Sequence, residues 1–319
     1  MHGLLVALLT LLPSIAGPLE YRPSMLSQDN PFTIRVSVDL VVLHATVRNR
    51  KGISVSGLAQ EDFQVYENGV VQPIKSFKHE DIPVTVGLVV DNSGSMSPKR
   101  PEVVLAALAF ARSSNPEDQM FVVNFNENVS LGLPSHMPFT GKTSDLQAAL
   151  GAIRADGKTA LYDAIAAALQ HLEKGNRDKK VLIVVSDGGD NASKHNLAEI
   201  MAMAGKSDAI IYTMGIFEEG DLDRNPGALR RLAKATGGEA FKPDSLKDIA
   251  SICEQIARDI RTQYTLVYAP TNGLQDGSYR LIRVKAEAPQ RGRLSVRTRA
   301  GYYAPIRPKS PPPAGATPP

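Results

Sequence analysis

Residues 86–96 read Val-Gly-Leu-Val-Val-Asp-Asn-Ser-Gly-Ser-Met. An unbroken apolar run that stops at Asp, Asn, Ser and Gly has the pattern of a buried strand ending in a loop. Strands buried on both faces belong to parallel sheets covered by helices. In open sheets of that kind the loops at the carboxyl ends of the strands carry the ligand site. Here that loop offers one carboxylate and two hydroxyls, Asp91, Ser93 and Ser95, two positions apart.

The pattern on the carboxyl side of this stretch extends the same fold. Apolar strands are expected over residues 84–90, 120–125, 181–185 and 209–214. Residues 129–133 are placed to pair back across Asn126–Asn128. Helical spacing marks residues 101–114, 161–172, 197–204, 227–235 and 246–260, and Ser144-Asp145-Leu146-Gln147 reads as a capping box opening a helix to Arg154. Strands separated by amphipathic helices predict an α/β domain over residues 84–260, a mostly parallel sheet with helices on both faces. On either side the rhythm is two, not 3.6. Residues 33–80 carry alternating runs with turns at Asn49–Gly52 and Asn68-Gly69, and residues 262–303 carry runs at 264–268, 279–286 and 294–299. These flanks are expected to pair into one small antiparallel β-sandwich, split by the α/β domain inserted in it. Residues 17–32 read as an unstructured lead-in and residues 304–319 as a Pro-rich disordered tail.

Composition narrows the function. The chain has 319 residues, 43% of them hydrophobic and 22% charged, with a net charge of +3. That balance, without basic runs interleaved with aromatics, argues against a nucleic-acid partner. The single cysteine, Cys253, excludes an internal disulfide and a cysteine-zinc cluster, and its Ile252, Ile256 and Ile260 neighbours mark it as a core residue. Residues 1–16 hold a short apolar stretch followed by Ser14 and Ala16, the pattern of a secretory signal peptide cleaved after Ala16. Only the amino terminus and His2 supply positive charge ahead of it. The stretch is too short to span a bilayer, so no membrane span is expected in the mature chain. The expected location is secreted, periplasmic or in the cell envelope.

One carboxylate and two hydroxyls facing one point suit a hard divalent cation, Mg²⁺ or Ca²⁺, which takes oxygen ligands. Thr159, where a helix opens, and Asp187, at the end of the second fully apolar strand, supply two more oxygens if the strand ends lie side by side. So few carboxylates leave the cation partly neutralised, and a Glu or Asp of a protein partner could complete its shell. Asp190 and Asn191 would either orient metal-bound waters or cap the next helix. Asp163 would favour a helix N-terminus or hydrogen-bond behind Thr159. A loose phosphate-loop pattern at residues 152–159 has a helix in front of it where a strand is required, which argues against a nucleotide. A hydrolase using Ser93 or Ser95 would need a histidine base. His136 lies in a Pro-rich loop, His171 is expected on the solvated side of its helix, and His195 alone follows the Asp187 loop.

Three segments taken together carry a resemblance: Asp91-Asn92-Ser93-Gly94-Ser95-Met96, Gly157-Lys158-Thr159-Ala160-Leu161 and Ser186-Asp187-Gly188. In order and spacing they resemble the metal-ion-dependent adhesion site of von Willebrand factor A (VWA) domains, over residues 84–260. The resemblance implies a Rossmann-like fold in which Ser93, Ser95 and Thr159 ligate Mg²⁺, with Mn²⁺ or Ca²⁺ as substitutes, and Asp91 and Asp187 act nearby, often through water. Lys158 stands where many such domains have Gly. The flanks, including residues 38–42, 58–69 and 299–305, resemble an exported bacterial VWFA-related family described from acidobacteria. The function expected is therefore non-enzymatic: divalent-cation-dependent protein binding or adhesion. The alternatives are a metal-assisted hydrolase and a structural envelope protein with a vestigial metal site.

Overall fold

The computed structural model describes residues 40–217 and 224–306. The expected signal peptide and lead-in, the first residues of the amino-terminal strand and most of the Pro-rich tail lie outside the described residues. The amino-terminal flank forms β1 (Val41–Arg48), β2 (Phe63–Glu67), β3 (Val70–Gln72) and β4 (Ile74–Lys78). The α/β segment follows with β5 (Val84–Asp91), α1 (Arg100–Ser113), β6 (Gln119–Phe125), β7 (Val129–Leu131), α2 (Thr143–Gly151), α3 (Leu161–Leu172), β8 (Lys179–Ser186), α4 (Leu197–Lys206), β9 (Ile210–Gly215), α5 (Pro226–Thr236), β10 (Ala240–Phe241) and α6 (Asp248–Arg261). The carboxyl-terminal flank adds β11 (Tyr264–Tyr268), β12 (Tyr279–Ala286), β13 (Ser295–Arg297) and β14 (Gly301–Tyr303).

The central sheet runs in the order β10-β9-β8-β5-β6-β7. All its neighbours are parallel except β6 and β7. Every residue of β5 is buried, as an apolar strand covered by helices on both faces must be. From β5 the chain passes first to β6 on one side and later to β8 on the other. The carboxyl ends of β5 and β8 therefore face a topological switch point, where open α/β sheets leave a crevice. Val90 pairs with Val185 across this boundary, which sets Asp91 beside Ser186. Two local expectations are corrected. The capping box at Ser144 does not form: α2 starts at Thr143, so Ser144 lies inside the first turn, Lys142 takes the N-cap position without a side-chain cap, and the helix ends at Gly151; the Thr140 hydroxyl donates to Asp145 Oδ2 at 2.7 Å in that turn. His171 is buried, not solvated, because α3 packs on almost every side; its ring lies 4.5 Å from that of Phe121 and its Nε2–H donates to Pro138 O at 2.8 Å.

Strands from both flanks share each of two antiparallel sheets, β13-β1-β11-β4 and β14-β12-β2-β3. Their inner faces bury Leu43, Val65, Tyr264 and Leu266 in a core separate from that of the α/β segment. Asn68 and Gly69, with φ of 48° and 84°, make the β2–β3 hairpin turn, as the left-handed conformations of such a turn require. Strands β3 and β4 are parted by Pro73 alone. Pro73 brings no N–H to a ladder, and the chain crosses there from one sheet to the other. Between the sheets Glu67 and Arg280, 2% and 1% exposed, pair at 2.9 Å. The hydroxyls of Tyr268 and Tyr302 donate to Glu67 Oε2 at 2.7 and 2.9 Å, and Arg280 also donates to the carbonyls of Asn272 and Leu274. Four strands of both sheets meet in this one network. A second ionic cluster joins sandwich to α/β segment: Arg48 and Arg297 both reach Glu239 and the buried Asp259.

Removing one partner of a buried pair strands the other charge and costs about 3–5 kcal/mol. Arg280→Met is therefore expected to lower the unfolding free energy by that order in urea titrations, while Arg280→Met with Glu67→Leu recovers a large part of it. Lys179 gives a second test. Its side chain is buried and Nζ donates to Ile260 O at 2.7 Å. Burial pulls its pKa from 10.5 down to about 8, against the attraction of Asp81 and Asp118. The folded chain then binds this proton more weakly than the unfolded chain, so stability rises as pH climbs from about 8 towards 10.5. Burial pushes Cys253 from 9 up to about 12 and opposes this rise above pH 9. Urea midpoints between about pH 7.5 and 9 should climb in the wild type and stay level in Lys179→Met.

Candidate functional site

Asp91 is the last residue of β5, and its carboxylate joins two strand ends. Oδ2 accepts from Ser186 Oγ at 2.6 Å, and Oδ1 accepts from the Ser93 N–H at 2.8 Å. The second bond bends the chain out of the strand and into a 3₁₀ turn over Gly94–Lys99. Asn92 fixes the same corner: its N–H donates to Phe125 O at 2.6 Å, and its amide donates to Val90 O and Asn124 Oδ1. With the backbone held there, Ser93 Oγ and Ser95 Oγ lie 3.2 Å apart, and Ser95 Oγ donates to Asp187 Oδ2 at 2.6 Å. Asp187 is positioned in turn by the Gly189 N–H on its Oδ1. Gly188, with φ of 80°, makes the turn, and a Cβ there would come within 2.7 Å of Asn225 O.

Asp91, Ser93, Ser95 and Asp187 thus form one hydrogen-bonded chain across two strand ends. Asp91, Ser93 and Asp187 are buried, Ser95 is half-buried and Gly94 is exposed, so the cluster opens on the Gly94 side. Burial is the main reason that the Asp91 carboxyl is pushed up to about 6, with the bonds from Ser186 and Ser93 opposing the rise. Thr159 lies on the adjoining loop. Gly94 N–H donates to Gly157 O at 3.1 Å, and Asp156 N–H donates to Asn92 O at 2.9 Å, so residues 156–159 lie against the serine loop. Among the described residues, the Thr159 hydroxyl makes no hydrogen bond to the serines or to either aspartate.

Asp190 and Asn191 serve the helix before them, not the one after. Asn191 Oδ1 accepts from the Thr159 N–H at 2.9 Å, and Thr159 O accepts from the N–H groups of Asn191 and Ala192. Asp190 Oδ1 accepts from Leu161 N–H, which caps α3; α4 is capped instead by Asn196. Burial raises the Asp190 pKa, opposed by its hydrogen bonds to Ser193 and to α3. Asp163 braces the Asp187 loop farther along, accepting from Lys194 N–H, His195 N–H and the His195 ring. Burial works against this carboxylate, but those donors outweigh it and hold its pKa below the usual range. His195 is therefore engaged with Asp163, His171 with Pro138, and His136 is exposed; none of them hydrogen-bonds a serine of the cluster. The loop over residues 152–160 follows helix α2, not a strand. Among the described residues no group of three or more His, Cys, Asp or Glu is arranged as metal ligands. The cluster has two carboxylates, and its remaining oxygens are hydroxyls.

Residues 86–189 match the family model of the von Willebrand factor type A domain. The chain carries a von Willebrand factor type A domain. Over 272 residues, 80% of the chain, it is 23% identical to inter-alpha-trypsin inhibitor heavy chain H4 of Bos taurus, and it spans 27% of that protein's length. Among solved structures, a von Willebrand factor type A protein from Catenulispora acidiphila overlaps 84% of this chain and 74% of its own, at 14% identity and a TM-score of 0.50; this is a likeness of fold. Such domains mediate protein–protein interactions. Within this VWA domain Asn92, Asn124 and Glu127 also hold the site, with no role for them expected from sequence. Asn92 sits inside the recognised motif and breaks an apolar run, which was a usable signal. Glu127, whose Oε2 accepts from Lys158 N–H at 2.9 Å, had none.

A left-handed glycine that also lacks room for a Cβ should tolerate no side chain. Gly188→Ala is expected to cost about 1–3 kcal/mol, read as a lower urea midpoint. Asn191→Ala, which releases the Thr159 N–H, is expected to cost less, about 0.5–2 kcal/mol.

Proposed function

We propose that this protein holds a partner protein through a divalent cation bound by Ser93, Ser95 and Thr159, with Asp91 and Asp187 beside it. One observation carries the reading: two hydroxyls and a carboxylate from separate strand ends converge within 3.2 Å in a cluster that opens to solvent at Gly94. The donor set fits the ion. Its oxygens are those a hard cation prefers, and with the two carboxylates beside the ion and three hydroxyls as its ligands, the ion stays partly neutralised with its shell unfilled. Mg²⁺ is the preferred occupant, with Mn²⁺ or Ca²⁺ able to replace it. When bound, the cation offers a partner's Glu or Asp carboxylate a coordination position.

The chain's own residues do the positioning. Asp91 holds the serine loop to β8, Asn191 and Asp190 hold Thr159 and the start of α3, and Asp163 holds the loop that follows. The exposed Lys158 beside the opening favours an anionic partner. The role is binding, not turnover: the serine hydroxyls bond each other and Asp187, His195 and His171 are engaged with Asp163 and Pro138, and His136 is an exposed loop residue. The signal-like residues 1–16 support a place outside the cytoplasm. Among the described residues no helix is long and apolar enough to cross a membrane.

Calorimetric titration with Mg²⁺ tests the proposal. Saturable heat is expected from the wild type and none from Ser93→Ala or Thr159→Ala. At a hundredfold excess over Kd the ion should add about 2.7 kcal/mol of stability to the wild type alone, and chelator should reverse both effects. No heat and no thermal shift in the wild type would reject the metal.

A further inference from the structure

A cleft of about 1120 Å³ lies away from the metal-ligand candidates, between α5, β12, β13 and the segments that flank them. Seven of its lining residues are Lys or Arg and two are Glu. Arg297 and Arg299 are spent on Glu239, Asp259 and Asp208, and Lys285 lies over the Tyr66 ring. Arg230 and Lys234 on α5, Arg283 on β12 and Arg293 beyond it are exposed, and among the described residues they have no acidic partner. Like charges gathered in a concave surface reinforce one another's field and draw anions.

The backbone around the same cleft selects among anions. Ile282 sends its N–H to Ala300 O, and Glu287 sends its N–H to Asp62 O on the β2 side. Polar groups of an antiparallel strand alternate in direction, so Val284 and Ala286 point theirs away from β2, as Ile282 does. Strand β14 stops pairing at Leu281, which leaves the groups of Val284 and Ala286 without a strand partner. Across the cleft, β13 is the edge strand of the other sheet. No aromatic side chain lines the cleft, so it offers no platform for stacking bases.

We propose that this cleft binds an extended, acidic polypeptide segment of a partner protein, which pairs its backbone with the free strand edge and sets alternate Asp or Glu side chains against Arg230, Lys234, Arg283 and Arg293. Strand addition uses backbone bonds for affinity and alternate side chains for selectivity. The site is independent of the cation and works in its absence.

The full chain in EDTA at low salt is titrated with a labelled peptide of alternating Glu and Val, about ten residues long, the length of a long strand. Saturable binding is expected, at least about tenfold weaker with Lys234→Glu and Arg283→Glu combined, at an unchanged thermal midpoint. Should that pair fail to fold, Arg230→Glu with Arg293→Glu replaces it, with the same expectation. The same peptide with alternate backbone nitrogens methylated should also bind about tenfold more weakly, since it cannot pair as a strand. No saturable binding, or binding that ignores the charge reversals, overturns the proposal. Equal affinity for the methylated peptide, or tighter binding of heparin or oligothymidine, overturns it in favour of an unspecific polyanion surface.

Discussion

The structure depends on one buried carboxylate. Asp91 ends the central strand β5, and its two oxygens accept from Ser93 on its own loop and Ser186 on the neighbouring strand. A carboxylate this deep is costly unless hydrogen-bonded, and here the bonds that satisfy it also close the loop. The serine pair comes out of the strand aimed at Asp187 because the Asp91 bond leaves the backbone no other exit. The site is thus a property of the sheet's switch point, and the other loops are brought to it by backbone contacts, Gly94 to Gly157 and Asn191 to Thr159.

The sandwich is bound to this domain by charge as much as by apolar contact. Arg48 and Arg297 from the sandwich share Glu239 and Asp259 of the VWA domain, while Glu67 and Arg280 tie the two halves of the sandwich to each other. Flanks separated by the whole α/β segment close into one body through these pairs. An ionic joint of this kind gives registry as well as energy, since a shifted pairing would strand a buried charge. The same arrangement leaves an edge of each sheet open beside α5, which is where the basic cleft forms.

Much of the α/β architecture was legible because the signal is strong and local. Residues 84–90 and 181–185 are largely apolar, Val-rich runs cut by polar loops, too short for a helix and suited to a doubly covered strand. The helices were legible from their spacing, less so at their ends: Lys142 rather than Ser144 precedes α2, so Ser144 falls inside the first turn and not at its cap. The solvated reading of His171 failed because α3 is buried almost all round, which the position of one polar residue cannot reveal. At the site, residue types and order pointed to Asp91, Ser93, Ser95 and Asp187, which the structure joins by hydrogen bonds. The sequence could not show that Asp190 and Asn191 turn back towards α3, since that depends on how one loop folds over another. The Glu67–Arg280 pair is separated by 213 positions and had no local trace, and the basic cleft appears only once both flanks are folded together.

The most direct measurement is anomalous diffraction from crystals grown with Mn²⁺. The account predicts one strong peak at coordination distance, about 2.0–2.6 Å from oxygens of hard-cation sites, from the Ser93 and Ser95 hydroxyls, with the Thr159 hydroxyl turned towards it and Asp91 and Asp187 beside it. Crystals saturated with Mn²⁺ that show no peak there, or whose strongest peak lies elsewhere on the molecule, would contradict it.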